Sequence, residues 1–115
     1  MPKMLLFYVP CQDLKEAKKI ARDLLKRSLI ACANFFPIDS MYWWKGKIEE
    51  DREVVMIAKT IEKNHKRVVE RIRKLHSYTK PCIIAFKVDK LNKEYSNYLK
   101  EELEIGVWKR FLKEG

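Results

Sequence analysis

One stretch limits the possible folds more than any other. It is Ser40-Met-Tyr-Trp-Trp-Lys-Gly-Lys-Ile-Glu-Glu-Asp51, entered from Ala31-Cys-Ala-Asn34 and followed by the apolar run 54–58 and Lys59-Thr60. Aromatic residues favour a pleated, half-buried surface, and a glycine between two such runs signals a hairpin. The arm over 30–47 is far longer than the usual strand of about five or six residues. A small domain has little with which to cover an arm that long and apolar. The sequence therefore predicts a partner, most simply another copy of the same chain.

The elements around the arm follow from periodicity. Residues 4–9 form an apolar run that reads as a strand, ended by Pro10. Asp13 starts a helix, and Glu16 three residues on completes a capping box. Leu14, Ala17, Ala21, Leu24 and Leu25 recur at helical spacing. Pro37 marks a bulge or an edge position, because it donates nothing to a ladder. A third strand covers 54–60. A second helix covers 62–75, with Val68, Val69, Ile72 and Leu75 as its apolar stripe. A fourth strand covers 81–88, and a short helix starting near Asn92 runs to Leu103.

That order, βαββαβ plus a terminal helix, is an α+β, ferredoxin-like sandwich with a long hairpin arm. Its first, third and fourth strands are near-continuous apolar runs, as expected where both faces of a sheet are buried. Two helices cover only one face, so this is a second, independent argument for an oligomer. At 115 residues one domain is expected. It is read as residues 1–103, with 104–115 as a C-terminal extension.

The net charge is +9. Lys and Arg are spread along the helices among Glu residues, a solvated surface rather than a nucleic-acid stripe. The alternative reading, a nucleic-acid-binding ferredoxin-like domain, would stack bases on Tyr42, Trp43 and Trp44. Such domains carry aromatic residues on the third strand. Here that strand reads Val-Val-Met-Ile-Ala, so the tryptophans are expected to pack across a subunit boundary.

Three cysteines, far apart and without a C-x-x-C pair, argue for free thiols in a reducing, cytoplasmic setting. No segment reaches the roughly 18 apolar residues of a membrane span. The three glycines are isolated, which removes phosphate-cradling motifs, and no nucleophile elbow is present. Nothing points to catalysis.

Thiolate and imidazole suit copper and zinc. Cys32, inside a strand, reads first as a small buried hydrophobe and second as a ligand. Cys82, after Pro81, is similar. Cys11 sits in the strand-to-helix turn, where the helix dipole favours thiolate. His65 shares the apolar face of its helix and reads as a packing residue. His76 ends that helix in a turn, where a side chain can face a cleft. The candidate metal ligands are therefore His76, Cys11, Cys82 and Cys32. A candidate intersubunit cleft is formed by Tyr42, Trp44, Lys59 and Tyr78. Glu49, Glu50 and Asp51 read as a solvated tip, because neighbours on a strand alternate in direction.

Leu29-Ile-Ala-Cys-Ala-Asn34, Tyr42-Trp-Trp-Lys-Gly-Lys-Ile-Glu-Glu-Asp51, Lys59-Thr60 and Leu75-His-Ser-Tyr78 through Pro81 resemble the CutA divalent-cation tolerance family. The resemblance covers about residues 4–103. It implies a ferredoxin-like fold, a tight homotrimer built by the hairpin arms, a cytoplasmic location and a role in copper or heavy-metal tolerance. It also implies kinship with PII signalling proteins, and no enzyme activity. Copper or another divalent ion would be a ligand that folding does not require. Bacterial members credited with a copper site carry a Cys where this chain has Val9 and a His where it has Leu75. Here the turn keeps His76 and adds Cys82.

Overall fold

Asp13 opens the first helix as its position suggests. Its carboxylate accepts the Glu16 N–H at 2.8 Å, and Glu16 Oε1 reaches back to accept the Gln12 N–H at 2.9 Å. The structure, a computed structural model, describes residues 3–106. In chain order it has β1 (Met4–Cys11), α1 (Leu14–Lys26), β2 (Cys32–Trp44), β3 (Lys47–Ile61), α2 (His65–Leu75), β4 (Ile84–Lys87) and α3 (Lys93–Lys100). A 3₁₀ turn, Glu62–Asn64, leads into α2, and a π-helical turn, Glu101–Ile105, follows α3. The sheet order is β2-β3-β1-β4 with every pair antiparallel. This is the expected βαββαβ arrangement.

The pleat divides the sheet cleanly. Leu5, Phe7, Val9 and Cys11 of β1 are buried and pack with Ala17, Ile20, Ala21 and Leu24 of α1 and Val68 and Ile72 of α2. Ile20 takes the core place expected for Leu14 and Leu25, which are exposed at the margins of the helix. A second, smaller cluster joins Met4, Ile61, Leu99 and Leu103, so the helical end around Leu103 belongs to the domain. The expected extension lies mostly outside the described residues.

The end of α1 needs no glycine. Ser28 takes a left-handed φ of 56°, and the bonds Leu29 N to Leu24 O (2.9 Å) and Ser28 N to Leu25 O (3.0 Å) close a Schellman motif. This presents the Leu29 carbonyl to Thr60 Oγ1 at 2.6 Å and to Asn64 Nδ2 at 3.3 Å. A buried polar cluster thus ties the α1–β2 loop to the end of β3.

Several element ends differ from the sequence reading. β1 continues through Pro10, which lies opposite Val55. The Pro10 carbonyl is bonded to His76, so its missing N–H points away from β3, past the end of β4, where no ladder bond is lost. β4 is four residues long, since 81–83 have no strand partner. Of the two places expected for Pro37, a bulge or an edge, it takes the edge, sitting in β2 opposite Val54 with no break in register.

β2 and β3 are 13 and 15 residues long, but β3 meets β1 only from Val54 onward. The remainder is a free two-stranded arm. It closes at Lys45 (φ 49°) and Gly46 (φ 80°), the pair of left-handed residues that a type I′ turn requires. Trp43 is 73% exposed and Met41 71%, and Phe36, Ile84 and Phe86 are exposed on the sheet face opposite the helices. The uncovered apolar face and arm are as the strand patterns suggest.

Candidate functional site

At the C-terminal end of β1 the chain brings three metal-ligand types together. One donor atom each from Cys11, Glu16 and His76 lies within 4.8 Å of the others. Cys11 comes from β1 and Glu16 from the first turn of α1. His76 follows α2, whose last turn is closed by the His76 N–H on Ile72 O at 2.9 Å. Of the four sequence candidates, Cys11 and His76 meet. Cys82 is exposed and lines a neighbouring cleft. Cys32 lies beside Asn34 and Tyr95 in another part of the molecule.

The donor types fit a borderline cation, but every donor atom is already engaged. His76 Nε2 donates to Pro10 O at 2.8 Å, and Nδ1 accepts the Tyr78 N–H at 3.1 Å. Those partners fix the Nε2–H tautomer. Glu16 Oε1 holds Gln12, and Oε2 accepts the Ser77 N–H at 3.0 Å. The Cys11 thiol is fully buried and donates to Val9 O at 3.6 Å. Burial first, then the charges of Glu16, Glu53 and Asp13, push that thiol up to about 12. The dipole effect expected at Cys11 is outweighed. An ion enters only if the turn after α2 lets go.

That turn continues into an aromatic cleft of about 850 Å³ between the arm and the end of the sheet. Tyr42, Trp43, Trp44 and Tyr78 wall it, with Glu49, Glu53 and Lys80 as its charged lining. Tyr78 Oη donates to Glu53 at 2.7 Å, and Tyr42 Oη donates to Asp51. The bond to Asp51 pushes the Tyr42 phenol up to about 12, while burial and then Glu53 raise that of Tyr78. Both phenols stay neutral and donate.

Tyr42, Trp44 and Tyr78 therefore share one site within a chain, and Lys59 does not. Lys59 is six residues beyond Glu53 on β3, about 20 Å away, with its Nζ 5.5 Å over the Tyr95 ring. His65 lies against Phe7 at 5.7 Å between ring centroids and remains exposed. Sequence reasoning missed Glu53 and the second bond of Glu16. Alternation along β3 puts Glu53 on the face of Glu49 and Asp51, a signal that was available. The contact of Glu16 with Ser77 has no local signature.

Residues 5–102 match the family model of the CutA1 divalent ion tolerance protein. The chain is 46% identical over 99 residues to the divalent-cation tolerance protein CutA of Pyrococcus horikoshii, covering 86% of this chain and 97% of that one. Over 98 residues it is 40% identical to mouse protein CutA, of which it spans 55%, and that match covers 84% of this chain. The structure of the periplasmic divalent cation tolerance protein CutA from Archaeoglobus fulgidus superposes with a TM-score of 0.86 at 40% identity, over 88% of this chain and 99% of that one.

Proposed function

The chain belongs to the CutA1 divalent ion tolerance family, and from that premise we propose that it is a homotrimeric divalent-metal response protein that takes copper weakly and reversibly and performs no catalysis. The observation that carries the metal reading is the convergence of Cys11, Glu16 and His76. Copper stands at the top of the affinity order for such nitrogen, sulfur and oxygen donors. To reach them it must displace the bonds of His76 to Pro10 and Tyr78 and release a buried thiol proton. That cost keeps affinity modest for either ion, and the affinity order of the metals places zinc below copper.

The same displacement gives a signalling role a physical basis, in keeping with PII-like behaviour. His76, Ser77 and Tyr78 are consecutive, and Tyr78 holds Glu53 at the base of the arm. Opening the metal cluster loosens the arm. The free arm and open sheet face support the trimer. Three free cysteines support a cytoplasmic setting, which cell fractionation tests, since the Archaeoglobus relative is called periplasmic. Among the described residues no helix is long and apolar enough to cross a membrane.

Calorimetric titration with Cu²⁺ and Zn²⁺ at neutral pH, on protein of measured mass, tests the metal reading. We expect modest copper binding, weaker zinc binding, and loss of most of both in His76→Ala without a change in mass. Tight stoichiometric copper binding that survives His76→Ala places the ligands elsewhere, at Cys32, Cys82 or the carboxylates of the arm.

A further inference from the structure

We propose that Cys11 and His76 select monovalent copper, Cu⁺, and hold it in a two-coordinate sulfur–nitrogen bridge while Glu16 keeps its own hydrogen bonds. This assignment rests on the reading of Cys11 and His76 as metal ligands, and it names the oxidation state they take. Soft thiolate favours Cu⁺, and Cu⁺ accepts two ligands in a line. Zinc takes four, and Cu²⁺ prefers a tetragonal set of nitrogen and oxygen. One donor atom each from Cys11, Glu16 and His76 lies within 4.8 Å of the others. A metal–sulfur bond of about 2.3 Å and a metal–nitrogen bond of about 2.0 Å together span about 4.3 Å, so one ion fits between Cys11 and His76 with little movement of either. Both residues are buried within a single chain. A second copy on the arm or on the open sheet face therefore neither completes the pair nor blocks it.

The hydrogen bonds around the pair favour this ion. In the Nε2–H tautomer of His76 the lone pair is on Nδ1, and the Nε2–H is held by Pro10 O at 2.8 Å. A ligating histidine characteristically donates its other N–H to a carbonyl or carboxylate, which fixes the ring. That outer partner is already in place here. Bound at Nδ1, Cu⁺ spares the Pro10 bond and displaces only the Tyr78 N–H, which lies at 3.1 Å. At Cys11 the ion replaces the thiol proton, which leaves to solvent, so the charge of the buried cluster does not change. A four-ligand ion asks for more. It needs Glu16, whose oxygens must first surrender the N–H groups of Gln12 at 2.9 Å and Ser77 at 3.0 Å. Even then, among the described residues, the cluster holds three donor residues, one short of the set.

The test uses the full chain in its native assembly, carrying Cys32→Ser and Cys82→Ser so that Cys11 is the sole thiol. Cu⁺ is supplied without oxygen, with ascorbate, as its coloured bicinchoninate complex, and loss of the colour reads transfer to the protein. One Cu⁺ per chain is expected, held more tightly than Cu²⁺ titrated by calorimetry into the same protein. Adding Cys11→Ser should weaken Cu⁺ by more than about 100-fold, beyond what loss of an outer partner costs. Adding Glu16→Gln should leave it unchanged. Copper X-ray absorption, which needs no substitution at the pair itself, should show two-coordinate Cu⁺ with one sulfur and one nitrogen. It decides the matter if the Cys11 variant folds poorly. Three or four ligands overturn the proposal, as does Cu⁺ binding that survives Cys11→Ser or falls equally in Glu16→Gln. Cu²⁺ binding that depends on His76, with no preference for Cu⁺, overturns it too but leaves the divalent-metal reading standing. Binding of neither ion overturns both.

Discussion

Glu16 joins two parts of the chain that are 61 residues apart, through one carboxylate. One oxygen accepts the Gln12 N–H just ahead of the Asp13 cap, and the other accepts the Ser77 N–H. The capping role was legible in the sequence, because Asp13 and Glu16 have the required spacing. The link to Ser77 was not, since only the folded sheet brings the end of α2 over the start of α1. Burial raises the Glu16 carboxyl, but its bonds to Ser77 and Gln12 outweigh that and hold it below the ordinary 4.5. A depressed folded value means the stabilisation is fully present above the unfolded value and is lost as pH falls through the folded one. At pH 7, Glu16→Gln should lower the unfolding free energy by about 1–2 kcal/mol. Chemical denaturation should show that gap closing as the pH drops below 4.5 toward the folded value. A gap independent of pH would mean that the carboxylate charge contributes nothing.

At the scale of elements, the arm was the clearest signal in the sequence and remains the feature that most needs explanation. Its turn was visible as Lys45-Gly46, and its length as the apolar and aromatic residues that run from Phe35 to Trp44 with only Asp39 and Ser40 between them. The boundaries that differed did so because strand ends are set by partners. Pro10 stays in β1 because β4 is too short to need its N–H, and no local pattern reports the length of a neighbouring strand. Trp44 is 43% exposed in the isolated chain. If a second copy covers it, Trp44→Ala should cost about 3–5 kcal/mol, as for a packed aromatic, and light scattering should show the wild-type trimer at micromolar concentration dissociating in the variant. A wild-type monomer, or a variant with unchanged mass and melting temperature, would show that the arm is not the assembly device.

At the scale of the molecule, shape and charge point to different partners. The radius of gyration is 15.4 Å, against about 13 Å for a compact chain near 100 residues, and the extents of 49 × 35 × 22 Å show why. The arm leaves the body and carries apolar surface with it, which suits a like chain better than a polyanion. The +9 charge still attracts nucleic acid without sequence preference. Neither of the two conditions for selective binding is met. The third strand shows Val55 and Ile57 where a base-stacking domain has aromatic rings, and the aromatic side chains of the arm stand beside Glu49, Asp51 and Glu53, which repel phosphate. Weak binding to single-stranded RNA and to duplex DNA alike is therefore expected, falling steeply between low and physiological salt as released counterions lose their entropic advantage. Fluorescence anisotropy across a salt series measures the slope. Sequence-selective, submicromolar binding at physiological salt would instead mean that the open sheet face reads nucleic acid, and would displace the trimer as the reason that face is apolar.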